Sequence, residues 1–422
     1  MLSSSTFEAH ASKTSRSDRV IPCSPQNHAK HAVIALAGLG ATDGAMDAYW
    51  KMYCAETPYG LKLDATTADT QAVATGKATE GPALDVTAAS AAALTGKKKH
   101  FSWLCNFYSR EVARLGTPAA VVSEYFPKLV DGLPASLTHG IIHLGWGLAA
   151  GSAWMTVEGL AYLHFAHVSV RPERFVDAVA SVEDRDAPPA TPYESLVAIA
   201  ATRRDELKAF AAEVKADAAH RYPKETFVPE LVVAGFQWEV AKVLDAGHAV
   251  FYARPAWLDD DAASDPDALV ERLYEAVTLL HVVGEGNFLL LHLVTSLWGL
   301  EQTLVATRAD APARRHAYRC FWAMTLALVT TSAGGWPAAD ALARARDELG
   351  DAVDADDDAD VAADWDNLVD SALHQVEEHN IKLVFVEREL WGRFGRKTMY
   401  RRAAAAFTDT PNIGPRSIAY QA

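Results

Sequence analysis

Apolar residues recur at helical spacing along almost the whole of this chain, and runs in which Val, Ile or Thr alternate with polar residues are scarce. A period of three to four residues buries one face of a helix, whereas a half-buried strand needs a period of two. The pattern predicts an all-α fold, and the length allows two or three domains or one large α-helical unit. Helices are expected over Ala29–Leu39, Asp43–Cys54, Ser102–Leu115, Pro118–Val130, Thr138–His167, Tyr193–Ala219, Pro229–Asp245, Asp267–Leu280, Phe288–Arg308, Arg314–Thr331, Ala338–Leu349 and Ala362–Phe394, with Gly and Pro at most of the joins. No repeat of fixed period is visible, which argues against a solenoid. The 422 residues are half hydrophobic and 22% charged, enough for a large core. The first twenty residues, Thr66–Thr95 and Asp351–Asp366 read as the least structured stretches.

Charge and cysteine usage narrow the function classes. The formal charge is −15, and the one dense basic run is Lys97–Lys98–Lys99, so a nucleic-acid partner is not expected. Cys23, Cys54, Cys105 and Cys320 are scattered without a CxxC pair, against a disulfide scaffold or a zinc ribbon and in keeping with a reducing cytoplasm. The polar N-terminus lacks the apolar core of a secretory signal. Gly140–Val157 and Cys320–Ala339 carry no charged residue. The first holds His143 and four glycines, and the second breaks at Gly334–Gly335 and Pro337, so both read as buried helices and no membrane partner is expected.

Common cofactor motifs are missing. Gly38–Leu39–Gly40 has Asp43 where a dinucleotide fingerprint puts its third glycine, and it follows a helical pattern. No NADPH-binding signature is therefore visible, which leaves any need for that reductant open. Thr75–Gly76–Lys77–Ala78 lacks the rest of a phosphate loop, and no GxSxG elbow occurs. Asp354, Asp356 and Asp358 alternate as in a calcium loop, but Ala359 and Trp365 stand where that loop needs Gly and Glu. The acidic stretch reads as a solvated linker.

Histidine remains. Among fifteen, His139 and His143 are four apart in LTHGIIHLGW, about 40° around a helix and one turn along it, a spacing at which two imidazoles reach one metal. Two polar rings on one apolar helix are costly to bury without a common partner. His28 and His31 are three apart, as are His164 and His167; the latter pair reads as core packing. His292 lies in an apolar helix, and His379 precedes Lys382 by three. On one unbroken helix His281 and His292 would be about 16 Å apart, so at most one of them belongs to a common site. For any single histidine, a core residue donating to a backbone carbonyl is as good a reading as a ligand.

The ordered segments NHAKHAVIALAGLGA, LPASLTHGIIHLGWGL, NFLLLHLVTSLWGL and EEHNIKLVFVE, with the weaker FYSREVARLG and MTVEGLAYLHFAH, resemble the questin oxidase-like family of oxygenases from about Asn27 to Ala406. The resemblance implies an all-helical oxidoreductase of secondary metabolism that uses O2, a single large multi-helix domain over 27–406 with its His-rich site between core helices, after a flexible segment 1–26 and before a tail 407–422. The implied reaction is a Baeyer–Villiger-like ring cleavage of an anthraquinone or related aromatic polyketide. It further implies non-haem iron (Fe2+) held by His28, His139, His143, His292 and a carbamylated Lys382, with His379 in reserve. Trp146, Trp154, Phe288 and Trp298 are expected around the small aromatic substrate, although core packing explains them equally well. Trp146 stands where relatives tend to have Tyr. Two readings from other classes stay open. One is a zinc hydrolase at the same histidines, although HEXXH is absent because Gly140 follows His139. The other is a non-catalytic helical binding protein.

Overall fold

The structure, a computed structural model, describes residues 28–55, 86–96, 101–176, 189–217, 236–258, 266–332, 334–355 and 358–408. Every regular element among them is a helix, and Val353–Lys397 is an isolated bridge. The first half contains α1 (Ala29–Gly38), α2 (Asp43–Ala55), α3 (Ala88–Ala92), α4 (Phe101–Leu115), α5 (Pro118–Tyr125), α6 (His139–Ala149), α7 (Ala153–Phe165) and α8 (Pro192–Ala216). Then come α9 (Phe236–Ala246), α10 (Ala249–Tyr252), α11 (Pro266–Val283), α12 (Phe288–Ala306) and α13 (Ala311–Thr331). The last are α14 (Ala339–Leu349), α15 (Ala359–Leu373), α16 (Glu378–Arg393) and α17 (Thr398–Ala405). The fold is all-α, as the spacing predicts.

The boundaries differ where local chemistry overrides periodicity. The expected helix Thr138–His167 is two helices, because Gly151 takes a φ of 65° and the Ser152 side chain accepts from Met155 N at 3.3 Å to cap α7. Ala362–Phe394 likewise divides into α15 and α16, and the Glu377 carboxylate caps α16 by accepting from His379 N at 3.2 Å. The helix from Pro118 stops at Tyr125, before the Phe126–Pro127 pair that disfavours continuation. Thr66–Thr95 contains α3, closed by a Thr87–Ser90 capping box. Asp351–Asp366 is no simple linker either. Asp358 caps α15, and buried Asp354 accepts from Trp391 Nε1 at 2.9 Å and Thr398 Oγ1 at 2.8 Å and pairs with Arg401. Cys23, residues 1–20, 66–85, 229–235 and 409–422, and the lysines 97–99 lie outside the described residues.

Glycines bring the central helices together. A Cβ on Gly145 of α6 would sit 2.1 Å from the Gly299 carbonyl oxygen of α12, and one on Gly159 of α7 would sit 2.4 Å from Leu144 Cα. Only hydrogen fits at such approaches, so α6 lies backbone to backbone against both neighbours. Gly38, at the end of α1, plays the same part against the Phe385 ring of α16, where a Cβ would meet the ring at 2.2 Å. Thus α1, α6, α12 and α16 converge. Among the described helices Phe288–Ala306 is long and apolar enough to cross a membrane, and 83% of its apolar window is buried inside the protein.

Candidate metal centre

Each converging helix delivers a polar side chain near one of its ends. His28 stands immediately before α1, His139 opens α6, His292 lies in the second turn of α12, and His379 and Lys382 occupy the first turns of α16. Ser136, Leu137 and Thr138, with φ of 47°, 53° and 65°, form a left-handed turn that aims His139. Non-glycine residues pay roughly 1–2 kcal/mol each for that conformation, so the packing around the turn must hold it.

The rings meet in one buried cluster. Centroids of His28 lie 4.5 Å from His139 and 4.8 Å from His379, and those of His292 lie 5.0 Å from His139 and 4.8 Å from His379. One donor atom from each of His28, His139 and His379 falls within 4.8 Å of the others. Lys382, fully buried, donates from Nζ to His28 Nδ1 at 3.1 Å. Glu378, also fully buried, lies 3.7 Å from His28 Nδ1 and 3.5 Å from His379 Nδ1.

Hydrogen bonding sets the tautomers. His139 Nδ1 donates to the Ser136 carbonyl at 2.5 Å, His292 Nδ1 to the Phe288 carbonyl at 2.7 Å, and His379 Nδ1 to the Glu377 carboxylate at 2.5 Å. The three Nε2 atoms are left as lone pairs, buried and without a hydrogen-bond partner among the described residues. Metal-binding histidines have this arrangement, one nitrogen tied to an outer carbonyl or carboxylate and the other presented to the ion. Burial, reinforced by Lys382, pushes His139 down to about 3. Burial holds His28, His292 and His379 well below the usual imidazole value as well. All four rings are therefore neutral at pH 7, the form that ligates. Burial brings Lys382 down to about 8, although Glu378 and Glu377 pull the other way. The donor set fits a divalent transition metal.

His143 is not in this cluster, although His139 lies only one turn away. Its Nδ1 faces His31 Nε2 at 3.0 Å and its Nε2 faces Glu158 Oε2 at 3.3 Å, and Glu158 also accepts from Lys30 at 2.5 Å. The reserve candidate His379 occupies the main cluster. His281 bonds the Ala406 carbonyl at 3.1 Å. His164 bonds Tyr108 at 2.7 Å and Thr95 at 3.0 Å, and His167 bonds Asp131, which fits the packing role read for that pair. Of the aromatic candidates, Phe288 stands 4.6 Å from His292 and 4.8 Å from His379, centroid to centroid. Trp146 lies 6.0 Å from His31 and 4.6 Å from Trp298, whose indole N–H donates to Glu389 at 3.0 Å. Trp154 has no ring contact with these histidines among the described residues.

Sequence reasoning did not single out Glu158, Glu377 or the contact between His31 and His143. Glu158 had a readable signal, a lone charge within the apolar run MTVEGLAYLHF. Among curated proteins none matches the chain. The profile described as questin oxidase-like matches residues 26–386, which includes all four rings of the cluster and Lys382. By that match over most of its length, the chain belongs to the questin oxidase-like family.

Proposed function

We propose that the protein is an oxygenase whose buried histidine cluster holds non-haem iron and that it cleaves a ring of an anthraquinone or related aromatic polyketide with O2. The observation that carries this reading is that one donor atom from each of His28, His139 and His379 lies within 4.8 Å of the others, with the His292 ring and Lys382 beside them. Those five residues would hold the ion. Bound there, ferrous iron supplies the one-electron chemistry that ground-state O2 requires, which imidazole and carboxylate groups lack.

The chain's own groups prepare the site. Ser136 O, Phe288 O and Glu377 fix three rings in the ligating tautomer before any ion arrives. Neutral imidazoles bring no charge against a buried dication, and Glu378 and Glu377, beside His28 and His379, offset only part of the cost of burying it. An anion at Lys382 lowers that cost. Burial lowers the lysine's affinity for protons and so favours the free amine. That amine adds CO2 and releases a proton to give a carbamate. On this reading Phe288, beside His292 and His379, and Trp146, beside His31, would supply the apolar aromatic contact for a flat substrate.

The test combines anaerobic metal analysis with turnover of a hydroxyanthraquinone under 18O2. The expected result is about one iron per chain and label in the product. Stoichiometric zinc with product oxygen from water alone replaces this reading with a hydrolase. No stoichiometric metal replaces it with a binding protein.

A further inference from the structure

A second polar chain runs beside the histidine cluster, and the metal-holding set does not use it. It passes from Lys30 through Glu158 and His143 to His31. Burial raises the Glu158 carboxyl, but Lys30 and His143 outweigh it and bring the group down to about 2. An ionised carboxylate only accepts, so the hydrogen of His143 is on Nε2. Burial, opposed by Glu158, still lowers His143, which keeps that ring neutral and makes its Nδ1 an acceptor. His31 must then donate from Nε2, and its Nδ1 carries a lone pair. That nitrogen belongs to a residue 2% exposed and has no hydrogen-bond partner among the described residues. A buried acceptor left bare is costly, and its ring stands 5.9 Å from His28 and 6.0 Å from Trp146.

We propose that His31 Nδ1 accepts a hydrogen bond from a hydroxyl of the aromatic substrate, and that Glu158, through His143, is the positioning residue that keeps this nitrogen an acceptor. The proposal rests on the reading of the site as one for hydroxylated aromatics. It assigns a specificity: a phenol supplies the missing donor, whereas its methyl ether has no hydrogen to give and leaves the nitrogen bare. A site built around a substrate hydroxyl discriminates strongly against analogues that lack it.

The experiment compares 2-hydroxyanthraquinone, whose hydroxyl is remote from the ring carbonyls, with 2-methoxyanthraquinone. Binding to the iron-loaded protein is followed anaerobically by tryptophan quenching. The wild type is expected to favour the phenol by about tenfold or more, one hydrogen bond's worth of affinity. His31→Phe is expected to keep its iron and lose the preference. Glu158→Gln keeps the shape, but its amide can donate to His143 Nε2 and so release the tautomer; the preference should shrink while iron content stays constant. If His31→Phe does not fold, Glu158→Gln carries the comparison, with the imidazole 15N shifts of labelled histidine as a second readout. A wild type that binds both compounds equally overturns the assignment and leaves the aromatic-oxygenase reading standing. So does a His31→Phe protein that keeps the preference, while loss of iron in that variant would make His31 part of the metal set instead. If neither compound binds the iron-loaded wild type, the aromatic reading and this proposal fall together.

Discussion

At the scale of single residues, Lys382 gives the sharpest test. Its sequence context allows a surface ion pair with Glu378 four residues earlier, but both side chains are fully buried, and the lysine points at His28. Lys382→Ala is expected to lose bound iron, with partial return on adding a short carboxylic acid. Lys382→Arg keeps a cation but cannot form the carbamate, so it should also lose iron; full iron and activity in that variant would exclude the carbamate. His143→Ala is expected to retain iron, while His292→Ala or His379→Ala loses most of it, as read by metal content at unchanged helicity. The resemblance implied His28, His139, His143, His292 and Lys382 as a set with His379 in reserve, and the structure brings all of these but His143 together. It did not reveal the surroundings of His143. Helical spacing places His143 on the same face as His139, but whether it meets the cluster or Glu158 depends on how α7 crosses α6, and nothing in the local pattern encodes that crossing.

Among the elements, the α6 sandwich governs the site. Periodicity made each long helix legible. It missed the breaks at Gly151–Ser152 and before Glu377, because those depend on a positive φ and on caps supplied by single side chains. Three of the four glycines of Gly140–Val157 are explained by packing and the fourth by a turn. Gly140 faces Leu163, Gly145 faces Gly299 and Gly147 faces Met155, while Gly151 makes the turn. Gly145→Ala would drive a methyl group into the α12 backbone, which cannot yield as a side chain does. The expected loss is at least about 2 kcal/mol of stability, beyond a simple overpacking of side chains. It should be accompanied by weaker iron binding, since α6 carries His139 and α12 carries His292. A chemical-denaturation midpoint unchanged from the wild type would show that the two helices are less tightly held than this contact requires.

For the whole molecule, the buried histidines set a pH limit. In the unfolded chain an imidazole gains its proton near pH 6.5, whereas burial keeps His28, His139, His292 and His379 neutral well below that. The unfolded state therefore binds more protons below about pH 6.5. The stability held above that value is lost as the pH falls towards the folded values, by up to about 1.4 kcal/mol per unit for each ring. Chelator-treated protein should show a Tm that drops steeply between pH 7 and pH 5.5; a flat profile there would mean that the rings are solvated. The bond between Lys382 and His28 joins positions 354 residues apart. Synthesis proceeds from the N-terminus, so for most of its time on the ribosome the chain exposes His28 without the helix that completes the site. On the proposed reading, loading with metal would wait until α16 has emerged and docked, since a product that ends before α16 lacks both His379 and Lys382.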